Sequence, residues 1–122
     1  MVVFFYPKDD TPGCTKEACG FRDAHAALQK ARAVVLGISP DSAESHQRFR
    51  DKFSLGFPLL ADPERQAIEA YGVWQEKSMY GRKFMGVERS TFLIDEQGVL
   101  RQEWRKVKVD GHVDEVLASL GD

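Results

Sequence analysis

The sequence predicts an α/β protein, a mixed central β-sheet flanked by helices on both faces, in a single domain over residues 1–122. Three observations lead there. Two apolar, β-favouring runs, residues 2–6 (VVFFY) and 33–39 (AVVLGIS), are each followed by helical periodicity, and strands separated by helices need parallel crossovers. Residues 88–95 and 99–107 are split only by Glu96-Gln97-Gly98, the mark of an antiparallel hairpin. The chain of 122 residues has the size of one ordinary domain.

Residues 2–6 carry no polar alternation, so they read as a buried central strand. Pro7 ends it, and Lys8 to Asp10 form a loop. Ala18, Phe21, Ala24, His25 and Leu28 recur at helical spacing, which predicts one helix from Thr11 or Pro12 to about Lys30 or Arg32. Residues 33–39 form the second buried strand, closed by Ser39-Pro40-Asp41-Ser42. A polar helix follows over 42–53, with Phe49 and Phe53 on one face. Residues 57–61 are a brief strand or extended segment. Asp62-Pro63-Glu64 then opens a helix that ends near Tyr71 with Gly72 beyond it. Residues 73–87 read mostly as loop. The hairpin of 88–95 and 99–107 comes next, and a last helix covers 113–120.

Thr11-Pro12-Gly13-Cys14 is a helix start. The Thr11 hydroxyl suits the cap, accepting a bond from a free backbone N–H, and Pro12 suits the first helical position. Cys14 then falls in the first turn, among N–H groups without intrahelical partners and at the positive end of the dipole. A thiol there ionises more readily, and the thiolate is the nucleophile. The bland reading is a small buried hydrophobe, which needs no such setting. Cys19, the second of two cysteines, lies five positions on. Five residues of ideal helix rise ~7.5 Å and put the Cα atoms about 8–9 Å apart, whereas a disulfide needs them within ~7 Å. If the two react with each other, the helix must open. Gly20, which costs a helix ~1 kcal/mol relative to alanine, is the expected hinge.

Pro7, Thr11 and Cys14, spaced Pro-x3-Thr-x2-Cys, resemble the active-site motif of the peroxiredoxins. Cys19 in the same helix resembles the atypical two-cysteine subgroup called peroxiredoxin Q or bacterioferritin comigratory protein. Gly86-Val87-Glu88-Arg89-Ser90-Thr91-Phe92-Leu93-Ile94-Asp95 resembles the strand carrying that family's active-site arginine. The resemblance implies a thioredoxin-like fold, with the first strand between residues 33–39 and 88–95. It implies a thiol peroxidase acting on hydrogen peroxide and organic hydroperoxides. Cys14 becomes a sulfenic acid, Cys19 resolves it as a Cys14–Cys19 disulfide, and thioredoxin or a similar dithiol protein reduces that bond. Arg89, Thr11 and the backbone at Gly13 and Cys14 bind the peroxide, while Pro7 shields the thiolate. By the same resemblance, family members carry roughly thirty further residues before the first strand, still within the size of one domain, and this chain is expected to lack that segment.

The remaining signals are bland. A net charge of −2 with interspersed signs makes no electrostatic case for nucleic acid or an anionic membrane. No apolar run approaches the ~20 residues of a span, and residues 1–6 lack a signal peptide's length and basic flank. The cytoplasm is the expected compartment and a monomer the expected state. Cys-x4-Cys is the wrong spacing for a zinc knuckle, and His25, His46 and His112 are scattered, so no metal or organic cofactor is implied. The histidines read as surface or half-buried residues. Asp9, Asp10 and Glu17 read as solvated or dipole-complementing acids. Met79, Tyr80, Phe84 and Met85 read either as core anchors or as an apolar wall beside the site. Two rival functions remain. A protein thiol–disulfide oxidoreductase is disfavoured by the missing Cys-x-x-Cys. A non-enzymatic peroxide sensor would need no turnover with a reductant.

Overall fold

The computed structural model describes residues 1–120. In chain order it holds β1 (Val2–Phe5), α1 (Pro12–Asp23), α2 (His25–Lys30), β2 (Val35–Ser39), α3 (Ala43–Phe53) and β3 (Leu59–Ala61). Then come α4 (Gln66–Ala70), β4 (Trp74–Met79), β5 (Arg82–Val87), β6 (Ser90–Ile94), β7 (Leu100–Trp104) and α5 (His112–Leu120).

A strand apolar on both faces must be covered on both, and β1 is the middle of five strands ordered β3-β2-β1-β6-β7. It runs parallel to β2 and antiparallel to β6. Alternation along β1 separates two cores. Val2, Phe4 and Tyr6 meet Ala18, Phe21, Leu28, Phe49 and Val116, so α1, α2, α3 and α5 cover that face. Val3 and Phe5 meet Ile68, Val73, Val87 and Phe92 under the short α4. Helices lie on both faces, as expected, but unequally.

Four local readings change. The expected first helix is two: at Ala24 (φ −84°, ψ 8°) α1 stops and α2 begins, with no glycine or proline to announce the break. The helix expected from Asp62 starts only at Gln66, because both Asp62 carboxylate oxygens turn back to accept from the N–H groups of Gln66 and Ile68. The last strand is shorter than residues 99–107, ending at Trp104. Residues 73–87 are not loop. They hold the hairpin of β4 and β5, turned at Tyr80 (φ 52°) and Gly81 (φ 78°). Two positive φ angles make the tight turn that suits twisted strands, usually signalled by Asn-Gly or Asp-Gly, and Tyr-Gly gives no such signal.

Gly20 is a contact as well as a weak point. A Cβ there would lie 2.9 Å from Cγ2 of Val113, a β-branched group with little room to rotate, so glycine lets α1 and α5 close on each other. Gly20→Ala is therefore expected to destabilise the fold by about 1–3 kcal/mol through overpacking, outweighing the ~1 kcal/mol it gains in helix propensity. Urea unfolding measures this; a more stable variant would remove the contact from the argument.

Candidate active site

The first turn of α1 is built as its residues demand. Thr11 has extended angles (φ −97°, ψ 155°) and Pro12 begins the helix. Thr15 N–H to Thr11 O, at 2.8 Å, is the first intrahelical bond of this turn, so the N–H groups of Gly13 and Cys14 have no helical partner. The Thr11 side chain does not cap the helix as the sequence suggests. Its hydroxyl donates instead to the carbonyl of Lys8 at 2.8 Å. With its one hydrogen engaged, the oxygen can act only as an acceptor toward anything else.

Cys14 is buried, and Arg89 reaches it: Nη2 lies 3.2 Å from Sγ. Arg89 is not in a strand. It occupies the two-residue link between β5 and β6, where its carbonyl accepts from Val107 N–H at 2.9 Å. The pinned backbone aims the side chain along α1, and Gly13 leaves the space for it, since a Cβ there would sit 3.2 Å from Nη2. The other arm of the guanidinium, Nη1, donates to Oε1 of Glu17 at 2.7 Å. Burial works against the Arg89 charge, but Glu17 and the Cys14 sulfur outweigh it and hold its pKa above the ordinary value.

Glu17, which the sequence presents as a solvated or dipole-complementing acid, is fully buried. The sequence offered a weak signal: position 17 lies one turn beyond Cys14, on the face that carries Ala18 and Phe21 inward. Burial pushes its carboxyl up to about 7, only partly offset by Arg89. Because the folded state holds this proton more tightly, the contribution to stability is full below the ordinary value of 4.5 and is lost as pH rises to about 7. At ~1.4 kcal/mol per pH unit the loss is on the order of 3 kcal/mol. Glu17→Gln has no such titration, so its stability relative to the wild type is expected to rise by about that amount across the window. Denaturant melts of both proteins at several pH values check it, and parallel profiles would contradict it.

Asp9, for which the sequence gives the same solvated or dipole-complementing reading, is buried in a network that fixes the loop between Pro7 and Thr11. Tyr6 Oη donates to its Oδ1 at 2.6 Å, and Ser45 Oγ to Oδ2 at 2.8 Å. His46 Nδ1 lies 2.7 Å from the same Oδ2, and His46 Nε2 lies 3.1 Å from the carbonyl of Leu60. A carboxylate and a carbonyl only accept, so both ring nitrogens donate and His46 is an imidazolium. Burial disfavours that charge, but Asp9 outweighs it and holds the His46 pKa above the ordinary value. Burial likewise pushes Asp9 up, yet His46, Tyr6 and Ser45 hold it below the usual carboxylate range. Asp9, Asp41 and His46 bring possible ligand atoms within 4.8 Å of one another, but the histidine commits both nitrogens to this network. His46 and His112 are thus core residues, contrary to the sequence reading, while His25 is exposed. Asp10 is exposed and pairs with Lys52 at 2.7 Å.

The structure brings Gly13, Cys14 and Arg89 together, with Thr11 at the cap position of the same helix and Pro7 half-buried ahead of it. Cys19 is half-buried and lines the groove between α1 and α5 with Gly20, Val113 and Leu117. Both cysteines are free. Met79, Tyr80, Phe84 and Met85 are exposed on the hairpin and anchor nothing in the core. The hairpin instead sends Lys77 inward, a residue hidden from the sequence by the loop reading. Its Nζ donates to the carbonyl of Val87 at 2.9 Å. Burial and the neighbouring Arg89 charge lower its pKa, with Cys14 acting the other way.

Residues 1–103 match the AhpC/TSA family. A bcp peroxiredoxin of Coxiella burnetii is 58% identical over 120 residues, covering 98% of this chain and 80% of that protein. Peroxiredoxin Bcp of Bacillus subtilis is 54% identical over 122 residues, covering 100% of this chain and 78% of its own. Among solved structures, the bacterioferritin comigratory protein of Xanthomonas campestris, studied for its alkyl peroxide reduction activity, superposes with a TM-score of 0.93 at 48% identity. That match covers 98% of this chain and 76% of the other.

Proposed function

Since the chain belongs to the AhpC/TSA family, as a peroxiredoxin of the Bcp group, we propose that Cys14 Sγ is the atom that attacks the peroxide. The protein is a thiol peroxidase with the thioredoxin-like fold. The observation that carries the assignment is the Arg89 contact, 3.2 Å from a buried sulfur in the first turn of a helix. A guanidinium and unpartnered N–H groups both present donors to negative charge at the sulfur, the setting of a nucleophilic cysteine.

A hydroperoxide docked against Cys14 meets complementary groups. The Thr11 oxygen, its own hydrogen held by Lys8, accepts from the peroxide O–H. Arg89 and the N–H groups of Gly13 and Cys14 face the charge that builds on the oxygens as the O–O bond breaks, a preorganised electrostatic effect. Pro7 excludes water from one side. The products are a Cys14 sulfenic acid and water or an alcohol. Cys19 condenses with the sulfenic acid to a disulfide, and thioredoxin or a similar dithiol protein reduces it by exchange. Because both cysteines lie on one helix, the cycle needs no second copy of the chain, and a cytoplasmic monomer suffices.

Stopped-flow oxidation of Cys14 by hydrogen peroxide and by an alkyl hydroperoxide tests the assignment. Arg89→Lys is expected to slow both reactions by roughly 10- to 100-fold although charge is kept, because lysine lacks the planar fork that spans Cys14 and Glu17. Equal rate constants for the two proteins would remove Arg89 from the chemistry.

A further inference from the structure

We propose that Glu17 is the proton store of the peroxide site: a carboxylic acid while Cys14 is a thiolate, and a carboxylate once Cys14 is oxidised. The inference rests on Cys14 being the attacking thiolate and adds the charge balance of the group around it. Arg89 is one cation facing two acids, with Sγ on one arm and Glu17 Oε1 on the other. Glu17 has no exposed surface, and its Oε2 has no hydrogen-bond partner among the described residues. A second buried anion beside a single cation is uncompensated and costly. The other charged groups do not fill the gap. Lys77 is turned to the Val87 carbonyl, and burial holds His112 below its ordinary value, toward the neutral form. Burial also places the Glu17 carboxyl near neutrality, where the group can exchange its proton during turnover.

The chemistry requires one proton. Cys14 thiolate attacks the nearer peroxide oxygen, the S–O bond forms, the O–O bond breaks, and hydroxide leaves when the substrate is hydrogen peroxide. The sulfur is oxidised, the peroxide is reduced, and the hydroxide takes a proton to become water. The sulfenic acid is neutral, so Arg89 loses the anion on its Nη2 arm. Glu17 then ionises, replacing that anion and releasing one proton. The cluster is neutral before and after, and the proton taken up by the leaving group is matched by the one Glu17 gives. Later condensation of Cys19 thiol with the sulfenic acid releases water and changes no proton count.

Glu17 acts through Arg89, as a positioning and charge-balancing residue, so proton stoichiometry is the informative measurement. Reduced wild type and Glu17→Gln, in weakly buffered solution near neutral pH with an indicator dye, are mixed with hydrogen peroxide while thiol loss is followed. The wild type is expected to take up almost no proton per Cys14 oxidised and Glu17→Gln to take up one. Uptake of one proton by the wild type overturns the inference and leaves the peroxidase assignment standing. A Cys14 that does not react with peroxide overturns both. Infrared difference spectra of the wild type alone give a second arm, independent of whether the variant folds. A protonated carboxyl band in the reduced protein should vanish on oxidation, and its absence from the reduced protein would also overturn the proposal.

Discussion

Cys14→Ser is expected to lose peroxide reduction by roughly 10⁴-fold or more, the scale of removing a nucleophile from a preorganised site. A hydroxyl is scarcely ionised at neutral pH, and the surroundings of Cys14 cannot make up the difference. Arg89 at 3.2 Å and the open N–H groups of the first turn favour an anion, but an alcohol is so much weaker an acid than a thiol that they leave it protonated. The substitution is nearly isosteric, so the fold should survive it, and the remaining Cys19 provides a control. If Cys14→Ser still consumes peroxide at the wild-type rate, Cys19 or an outside agent is the nucleophile. The measurement is peroxide consumption with a dithiol reductant, alongside a thermal melt to show that the variant is folded.

The parts legible in the sequence were those governed by short-range chemistry. Residues 2–6 announce a central strand because both faces are apolar, and Thr11-Pro12 announces a helix start because proline is tolerated there and almost nowhere later. Cys14 and its helix follow from that alone. Arg89 was legible through the motif around it, but its placement was not. Its link between β5 and β6 depends on the β4–β5 hairpin, and that hinges on a Tyr-Gly turn of uncommon composition. Asp9, Glu17, His46 and His112 are buried where their residue types suggest exposure, for a common reason. A polar residue is normally placed outside, and only the fold supplies the partners that make burial tolerable. Asp9 and His46 are 37 positions apart, and Glu17 and Arg89 are 72 apart. No local pattern reports such a pairing.

Oxidation to the Cys14–Cys19 disulfide is expected to melt part of α1. The helix is continuous from Pro12 to Asp23 with both cysteines in it, so their Cα atoms stand about 8–9 Å apart against the ~7 Å limit of a disulfide. Side-chain rotation cannot close that gap. Cys14 faces Arg89, whereas Cys19 lines the groove toward α5, so the two sulfurs also start on different sides of the helix. Opening the turn between Thr15 and Cys19 gives up three or four backbone hydrogen bonds at roughly 1 kcal/mol each. The fully buried Ala18 must shift as well, with Phe21 next to it resisting. Cleavage of a peroxide bond drives the reaction, so a cost of that size is met. The same opening draws Glu17 away from Arg89 and toward water, where a carboxyl ionises freely. Far-UV circular dichroism should therefore show less helix in the oxidised protein, and amides from Thr15 to about Arg22 should exchange faster. Cys19→Ser should form the sulfenic acid at the wild-type rate and keep its helix, while failing to turn over with thioredoxin. Equal helix content and equal protection in the reduced and disulfide forms would mean that the bond closes without local unfolding, and the register argument would fail with it.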